Sequence, residues 1–339
     1  MSIVFGALKE FNDDAMLMAR QLGADGIHFN TPPLATAEEK TWSVRSLRWL
    51  KEYAERFELK LEMIENVPVR FLDKILLGID GRDEQIENYI TIIRNMGEVG
   101  IPVLGHHFCP TWVWRTSATY PYRIGANVTS FDKSLIGKVP NATKSAALHK
   151  LALPDGESFT AERLWDNFTY FMNAVIPEAE KAGVRLVTHP SDPPIREIAG
   201  AERIFINKED YLKADKITNS DAWGLNLCIG CFSQLGGEDY VLDMIRTFVP
   251  RGKVSMVHLR DVQGDIDCFN ECFLGDGRFN PAKVLTELKR CGYNGIIMDD
   301  HVPFLSGDTR WGHTARAYEH GYIQGMRMML NYIDGINEK

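Results

Sequence analysis

The sequence predicts one α/β domain folded as a (β/α)8 barrel. Short apolar, β-branched runs alternate eight times with longer stretches of helical periodicity along the 339 residues. No linker and no change of composition interrupts this alternation. A doubly wound open sheet is the competing arrangement, but no glycine-rich phosphate loop follows the first predicted strand. We therefore expect a single barrel domain over residues 1–339.

The predicted strands are short and rich in buried-type residues, as is typical of parallel sheets. They are Ile3–Gly6, Gly26–Asn30, Leu59–Val67, Ile101–Phe108, Val184–Thr188, Gly224–Ile229, Val254–Val262 and Gly295–Asp300. The predicted helices are Ala15–Leu22, Ser43–Phe57, Arg82–Val99, Glu162–Ala182, Ile204–Ile217, Tyr240–Phe248, Pro281–Cys291 and Ala315–Ile333. Polar caps such as Asn12 and terminal glycines such as Gly23 and Gly100 support their limits.

A long insertion after the fourth strand breaks the pattern. Between residues 111 and 160 the periodicity is lost, and aromatic residues, Ser, Thr, Asn and Gly dominate. A loop of this length in a compact domain is usually functional, so we predict a lid at the C-terminal rim of the barrel. A structural cover over the rim is the alternative. Arg115, in this insertion, presents a planar fork that suits a carboxylate, although an ordinary ion pair would explain it equally well.

Composition excludes several classes of function. The chain has 38 Lys+Arg and 46 Asp+Glu, a net charge of −8, and its basic residues are scattered, so nucleic acid is not an expected partner. Six cysteines are too few for a disulfide scaffold and indicate reduced thiols. A four-cysteine zinc site from Cys228–Cys231 and Cys268–Cys272 is disfavoured, because a second CxxC is missing. Neither a signal peptide nor a membrane-spanning run is evident, which predicts a cytoplasmic protein without a membrane partner.

Four predicted strand ends carry groups that bind metal ions. In chain order these groups are His189, Cys228, His258 and Asp300. The C-terminal ends of all strands in a parallel barrel face one rim, so groups distant in sequence converge there. The sequence therefore predicts a divalent-metal site. Imidazole and thiolate favour zinc or iron, whereas a carboxylate together with substrate oxygens suits manganese or magnesium, so ligand type leaves the metal open.

Other polar residues are expected around this site. His301 directly follows Asp300, and an imidazole with a pKa near neutrality is a natural proton-transfer group. Its structural alternative is only to orient Asp300. Candidates for substrate binding follow other strand ends. Arg260 and Arg278 become stronger candidates for substrate binding if the substrate is an acid. Solvated loop charges or supporting side chains are the alternative for this whole set, which comprises Glu65, His107, Asp192, Arg260, Asp261 and Arg278.

Several motifs together resemble the mannonate dehydratases, a metal-dependent family with a xylose-isomerase-like barrel. The resemblance spans nearly the whole chain. Its motifs are I-E-N at Glu65, W-R-T at Trp114, H-P-S-D-P-P at His189, L-C-I-G at Cys228, V-H-L-R-D at His258, D-D-H at Asp300 and Y-I-Q-G at Tyr322.

This resemblance implies that a sugar acid, D-mannonate or a related aldonate, loses water to give 2-keto-3-deoxy-D-gluconate. It further implies manganese bound by His189, Cys228, His258 and Asp300, with Fe²⁺, Co²⁺, Mg²⁺ or Zn²⁺ as other candidate metals. His301 would act as an acid or base, and Arg115 would hold the substrate's carboxylate. A homodimer is the assembly that the family suggests.

The chain departs from the family pattern at three places. Ser191 replaces the first Asp of H-P-D-D-P-P, and Val302-Pro303 follows the last histidine in place of G-R. Where the family has a P-G-Y segment with a catalytic Tyr, this chain places Trp311. An indole cannot transfer a proton, whereas the nearby His313 can, so His313 is a second catalytic candidate.

These departures keep alternative hypotheses in view. The first is a metal-dependent dehydratase of an aldonate. The second is a sugar isomerase or epimerase on the same type of barrel, since barrel and metal do not decide the reaction. The third is a sugar-acid-binding protein that has lost catalysis.

Overall fold

Eight parallel strands close into a barrel, as predicted. The protein is described from a computed structural model, which describes residues 1–9, 11–144, 148 and 159–337. The strands are β1 (Ser2–Leu8), β2 (Gly26–Asn30), β3 (Lys60–Glu65), β4 (Val103–His107), β5 (Ser117–Tyr122), β6 (Ala126–Asp132), β7 (Arg185–His189), β8 (Glu197–Ile198), β9 (Ala201–Glu202), β10 (Trp223–Cys228), β11 (Val254–Leu259), β12 (Asp261–Gly264), β13 (Cys268–Cys272) and β14 (Ile296–Asp299). The barrel runs β1-β14-β11-β10-β7-β4-β3-β2 and closes between β2 and β1.

Helices pack around the barrel. They are α1 (Asp13–Gln21), α2 (Val44–Glu55), α3 (Asp73–Leu77), α4 (Arg82–Val99), α5 (Ala161–Ala182), α6 (Lys208–Thr218), α7 (Ile229–Phe248), α8 (Pro281–Arg290) and α9 (His313–Asn337). Polar side chains accept hydrogen bonds from the first backbone N–H groups of several helices, as at Asn12, Ser43, Thr160, Asn207 and Asn280. Over the described residues, the helices are too short or too polar to cross a membrane.

Side-chain alternation along the strands divides the barrel interior into an apolar and a polar layer. An apolar cluster of Val4, Met63, Val103, Val187, Met256, Ile296 and Met298 fills one level. Two residues further along their strands from Met63, Val187 and Met256 stand Glu65, His189 and His258. Because successive side chains point to opposite faces of a sheet, a spacing of two keeps these polar groups inside the barrel.

The insertion contains regular structure that the sequence did not reveal. β5 and β6 form an antiparallel hairpin, and β6 pairs with β13, which pairs with β12, so a four-stranded antiparallel sheet stands at the rim. Residues 145–147 and 149–158 of the predicted lid lie outside the described residues. The hairpin was missed because its exposed edge strand β5 has no continuous apolar face.

Other elements also differ from the prediction, among them the helix predicted at Ile204–Ile217, which is observed as α6 (Lys208–Thr218). The predicted strand Val254–Val262 is two elements, since β11 ends at Leu259 and β12 leaves the barrel at Asp261. Helix α7 starts at Ile229 and not at Tyr240, with a non-helical kink at Gly236 and Gly237. The short helix α3 was not predicted. Arg260, at the break, is buried and contacts Asp192 and Cys228.

A buried histidine gives the fold a pH-dependent stability. His106 is fully buried beside Thr188, and burial lowers its pKa to about 3. The unfolded chain, whose histidine pKa is about 6.5, therefore binds more protons as pH falls below that value. Stability attributable to His106 is full above about pH 6.5 and falls by about 1.4 kcal/mol per pH unit below it.

The His106→Gln variant should lose part of this acid sensitivity. Between pH 7.5 and 5, its free energy of unfolding should fall about 2 kcal/mol less than that of the wild type. Urea denaturation followed by circular dichroism at both pH values measures the difference. Equal pH dependence in the two proteins would contradict the assignment.

Candidate active site

Three of the predicted metal ligands converge inside the barrel rim. One ligand atom from each of His189, Cys228 and His258 lies within 4.8 Å of the other two, and all three side chains are buried. Parallel pairing aligns these strand ends, with His258 in register with Cys228 on the neighbouring strand. The fourth predicted ligand, Asp300, places Oδ2 3.5 Å from Nδ1 of His258. Asp300 thus lies beside the group of three on its His258 side.

The hydrogen bonds of the two histidines leave ring nitrogens for a metal. Nδ1 of His189 donates to the carbonyl of Pro190 at 2.7 Å, which leaves Nε2 with a free lone pair. Nδ1 of His258 is buried and makes no hydrogen bond within the described residues. The side-chain amide of Asn226 lies 2.9 Å from Nε2 of the same ring. Because Nδ1 lies 3.5 Å from Oδ2 of Asp300, this ring nitrogen and that carboxylate are placed to hold a cation together.

The environment of Cys228 favours the thiolate that a metal requires. Burial by itself would raise the pKa of this thiol, but a hydrogen bond from Cys231 and the charge of Arg260 lower the pKa well below its usual value. Nη1 of Arg260 lies 3.6 Å from the sulfur. A thiolate is the form that ligates metal ions. The donor set of two imidazoles, a thiolate and a carboxylate therefore fits a divalent cation.

Adjacent aspartates at the end of β14 have separate roles. Asp300 points into the barrel, where burial would raise its pKa but the charges of His301 and His258 lower the pKa well below its usual value. Asp299 points outward and accepts a hydrogen bond from Arg316 of α9. Strand alternation therefore assigns only Asp300 to the metal centre.

A cavity of about 330 Å³ opens beside the four groups, within the size range of small-molecule sites. Its wall contains seven of the residues predicted from sequence: Glu65, His107, His189, Asp192, His258, Asp300 and His301. Lys9, Asn30, Asn66 and Trp112 also line it. Glu65 was predicted as a polar residue at a strand end. Lys9 was not predicted as a site residue, because the only feature of the sequence that points to it is its position directly after β1.

The carboxylate of Glu65 lies among the histidines of the barrel interior, where its negative charge offsets positive charge on their rings. Its oxygens lie 3.5 Å from His28, 3.7 Å from His107 and 3.9 Å from His258. Burial would raise the pKa of Glu65, but the imidazoles around it lower the pKa well below its usual value. Glu65, His107 and His189 form a second group of neighbouring ligand atoms that shares His189 with the first.

Behind the cavity, two arginines alternate with two carboxylates. Arg115 donates both terminal nitrogens to Asp192 at 2.8 Å and Nη2 to Glu271 at 2.7 Å. Arg260 donates to the same Asp192 at 2.8 Å and lies 3.0 Å from Glu271. All four side chains are buried. Arg115 was predicted to hold the substrate's carboxylate, but its guanidinium already pairs with carboxylates of the chain.

His301 stands at the edge of this network and faces the cavity. Its Nδ1 lies 3.0 Å from Oε1 of Glu271 and 3.3 Å from Nη2 of Arg115, and 31% of its side chain is exposed. With Nδ1–H donated to Glu271, Nε2 keeps its lone pair for proton exchange with a bound molecule, and it lies 3.7 Å from Oδ2 of Asp300. Glu271 was missed in the sequence because β13 shows no strand-end signal.

Three predicted site residues are not brought to the cavity: Asp261, Arg278 and His313. The carboxylate of Asp261 accepts hydrogen bonds from the backbone N–H groups of Gly275, Gly277 and Arg278. Arg278 donates Nη1 to the carbonyl of Gly264 at 2.8 Å, and it is absent from the described residues of the cavity wall. His313 hydrogen-bonds with Thr309 and packs on Trp311, outside the same described wall. The Trp311 indole N–H donates to the carbonyl of Ala7 at 3.2 Å. Trp311 is therefore a packing residue in this chain.

Backbone strain is concentrated around the cavity. Four lining residues other than glycine have left-handed φ angles: Thr31 at 50°, Asn66 at 63°, Trp112 at 50° and His301 at 51°. Such conformations are unfavourable for side chains other than glycine and cluster at functional sites. They turn the chain at the strand ends so that polar side chains face inward.

Fold and site together define a barrel enzyme with a metal-type donor set at the carboxyl ends of its strands. The D-mannonate dehydratase (UxuA) family matches residues 9–336. The chain belongs to this family, whose members are hydro-lyases, so the predicted family and enzyme class are confirmed.

Individual relatives agree with this assignment. Mannonate dehydratase from Streptococcus agalactiae serotype V is 31% identical over 316 residues, which is 88% of this chain and 87% of the relative. That from Thermotoga neapolitana is 31% identical over 341 residues, 93% and 92% of the two chains. The crystal structure of mannonate dehydratase from Streptococcus suis serotype 2 superposes with a TM-score of 0.82 at 28% identity, covering 96% of this chain and 93% of that one.

Removal of the thiolate should weaken metal binding without unfolding the chain. In Cys228→Ser the donor set loses its soft ligand at nearly constant volume, and we expect Mn²⁺ affinity to fall by about 100-fold. Isothermal titration after dialysis against chelator measures this affinity. The exposed Cys268→Ser is the matched control, and equal affinity of both variants would contradict Cys228 as a ligand.

Proposed function

We propose that this chain dehydrates D-mannonate, or a closely related aldonate, to the 2-keto-3-deoxy acid and water. The observation that carries the proposal is the close grouping of His189, Cys228 and His258, with Asp300 beside His258, next to a cavity that His301 faces. We propose these four as the ligands of Mn²⁺. A cation held there supplies positive charge next to the substrate's carboxylate or 2-hydroxyl, which makes the C2 proton more acidic.

The substrate's negative charge requires a cation at the cavity. Arg115 and Arg260 are paired with Asp192 and Glu271, so both are compensated already. Lys9 lines the cavity and, within the described residues, makes no hydrogen bond or ion pair. We assign Lys9 to the substrate carboxylate, with the arginines acting through the network that fixes Asp192 and His301.

The reaction needs one base and one acid. The base removes the C2 proton, the C3–O bond breaks, the acid protonates the departing hydroxyl, and the resulting enol rearranges to the 2-keto acid. His301 supplies one of these two transfers through Nε2, with Glu271 holding Nδ1–H. The second transfer falls to a group of the cavity wall, for which we propose His107. Burial lowers the pKa of His107 to about 4, so its ring is uncharged near neutral pH.

The remaining assignments are part of the same proposal. The protein would be cytoplasmic and act in hexuronate catabolism as one domain, with residues 111–160 as a lid over the cavity. It would assemble as a homo-oligomer, as its family resemblance suggests.

An aldonate panel tests the reaction. Chelator-treated enzyme reloaded with Mn²⁺ should release a 2-keto-3-deoxy acid from D-mannonate, measured by the thiobarbiturate colour reaction. Activity should vanish without metal and return with it. Exchange of substrate hydrogen with deuterated water, without loss of a hydroxyl, would favour an isomerase or epimerase. Tight aldonate binding without either process would favour a sugar-acid-binding protein.

A pair of histidine variants tests the residue roles. In His301→Asn, kcat should fall by about 10²- to 10⁴-fold because a proton-transfer group is lost. In His313→Asn, kcat should stay within about twofold of the wild type, since His313 lies outside the described cavity wall. Steady-state kinetics with D-mannonate measure both. A large loss in His313→Asn with normal His301→Asn would reverse the assignment.

A further inference from the structure

Arg203, just after β9, is a fully buried arginine without a carboxylate partner in the described part of the chain. Its guanidinium donates to the carbonyls of Pro193 at 2.6 Å, Trp112 at 3.1 Å and Asp192 at 3.1 Å. The carboxylate of Asp192 pairs instead with two other arginines. Carbonyl groups satisfy N–H donors but do not cancel a charge, and a buried charge without a counter-charge is strongly unfavourable.

A further contact of this guanidinium is the sulfur of Cys109. Nε of Arg203 donates to Sγ at 3.1 Å, and Cys109 is buried just beyond the end of β4. Hydrogen bonds shorten when an acceptor is ionised. The hydroxyl of Thr111 lies 3.6 Å from the same sulfur, and the carbonyl of Trp112, which could accept an S–H, lies 3.9 Å away. The shortest of these three contacts is thus with a cationic donor, which favours a thiolate.

The surroundings of Cys109 also favour ionisation. Burial by itself would raise the pKa of this thiol, but the charge of Arg203 and hydrogen bonding with Ser191 and Arg203 lower the pKa below its usual value. Position 191 is where the family motif H-P-D-D-P-P has its first Asp. The Ser191 hydroxyl donates to the carbonyl of Ile204 at 2.7 Å and brings no negative charge. A carboxylate is therefore missing at the place where Cys109 and Arg203 meet.

We propose that Cys109 is a thiolate that acts as the counter-ion of Arg203, and that this ion pair positions two segments of the cavity wall. Trp112 and Asp192 both line the cavity, and both give a backbone carbonyl to Arg203. Cys109 itself is absent from the described residues of that wall. It is a positioning residue, which acts on the cavity through Arg203.

Asp192 is the point at which this pair meets the buried charge network. Its backbone carbonyl accepts from Arg203 at 3.1 Å and from the backbone N–H of Trp114 at 2.9 Å. Its carboxylate accepts from Arg115 and Arg260. Loss of the charge at Cys109 would leave Arg203 uncompensated and displace the backbone that carries this carboxylate. The consequence for the reaction rests on the proposed function, whereas the ion pair itself does not.

Raman spectroscopy of the full chain at neutral pH tests the thiolate directly. A thiol has an S–H stretching band in a spectral region without other protein bands, and a thiolate has none. Cys109→Ser should therefore keep the S–H intensity of the wild type. The control Cys268→Ser, at an exposed cysteine, should lose the intensity of one thiol. Equal losses in the two variants would overturn the proposal.

Rescue by a carboxylate tests the pairing with Arg203. Cys109→Ser removes the counter-charge at nearly constant volume, so the urea midpoint should fall. Its kcat/KM for D-mannonate should fall about 10- to 100-fold, because groups around the substrate are displaced. Adding Ser191→Asp should restore the midpoint and return kcat/KM to within about threefold of the wild type. Adding Ser191→Asn, which matches Asp in shape but is uncharged, should leave Cys109→Ser as impaired as before.

These measurements separate the ion pair from the reaction. If no aldonate is dehydrated, the S–H band and the urea midpoints still decide the proposal. If Cys109→Ser does not fold, the double variant Cys109→Ser/Ser191→Asp replaces it in the Raman comparison and should show wild-type S–H intensity. Equal rescue by Ser191→Asn and Ser191→Asp, an unfolded double variant with Asp, or wild-type stability of Cys109→Ser would overturn the pairing.

Discussion

The alternation of side chains along parallel strands of a closed barrel is the constraint on which the candidate site depends. Each strand end contributes a side chain to the interior only because the residue two positions earlier also points inward. Met256 precedes His258 and Met298 precedes Asp300 in this way. Shifting one strand by a single residue would turn its ligand outward, as Asp299 is turned toward Arg316. Apolar packing in the lower layer therefore fixes the metal-type donor set in the upper one.

Buried charges connect this barrel site to the insertion. Arg115 comes from the insertion, Asp192 from the loop after β7, Arg260 from the end of β11 and Glu271 from β13. Ion pairs buried to this degree add little net stability, but loss of one partner leaves an uncompensated charge and is strongly destabilising. We interpret the network as a specific link between the insertion and the barrel. It holds the four-stranded antiparallel sheet, and His301 next to Glu271, in one arrangement over the barrel.

Trp311 shows how the chain can differ from its family without losing the site. Its ring packs on Phe5 at 5.3 Å between centroids and under the guanidinium of Arg316. Arg316 in turn pairs with Asp299, next to Asp300. The indole thus supports the outer side of the strand that carries the proposed ligand. At this position the indole packs between Phe5 and Arg316, whereas the imidazoles of His107 and His301 line the cavity wall.

The barrel could be predicted from residue patterns alone, because eight alternating patterns of strand and helix leave few other assemblies. The same patterns predicted that the strand-end residues His189, Cys228, His258 and Asp300 would be neighbours, and that His107, Asp192 and His301 would lie at one rim. The folded chain was needed to show that the charges of Arg115 and Arg260 are balanced by Asp192 and Glu271, and that Arg278 and His313 lie outside the described cavity wall. Periodicity reports which face of an element is buried, but contacts between side chains of distant loops depend on how those loops fold back, and no local pattern encodes that.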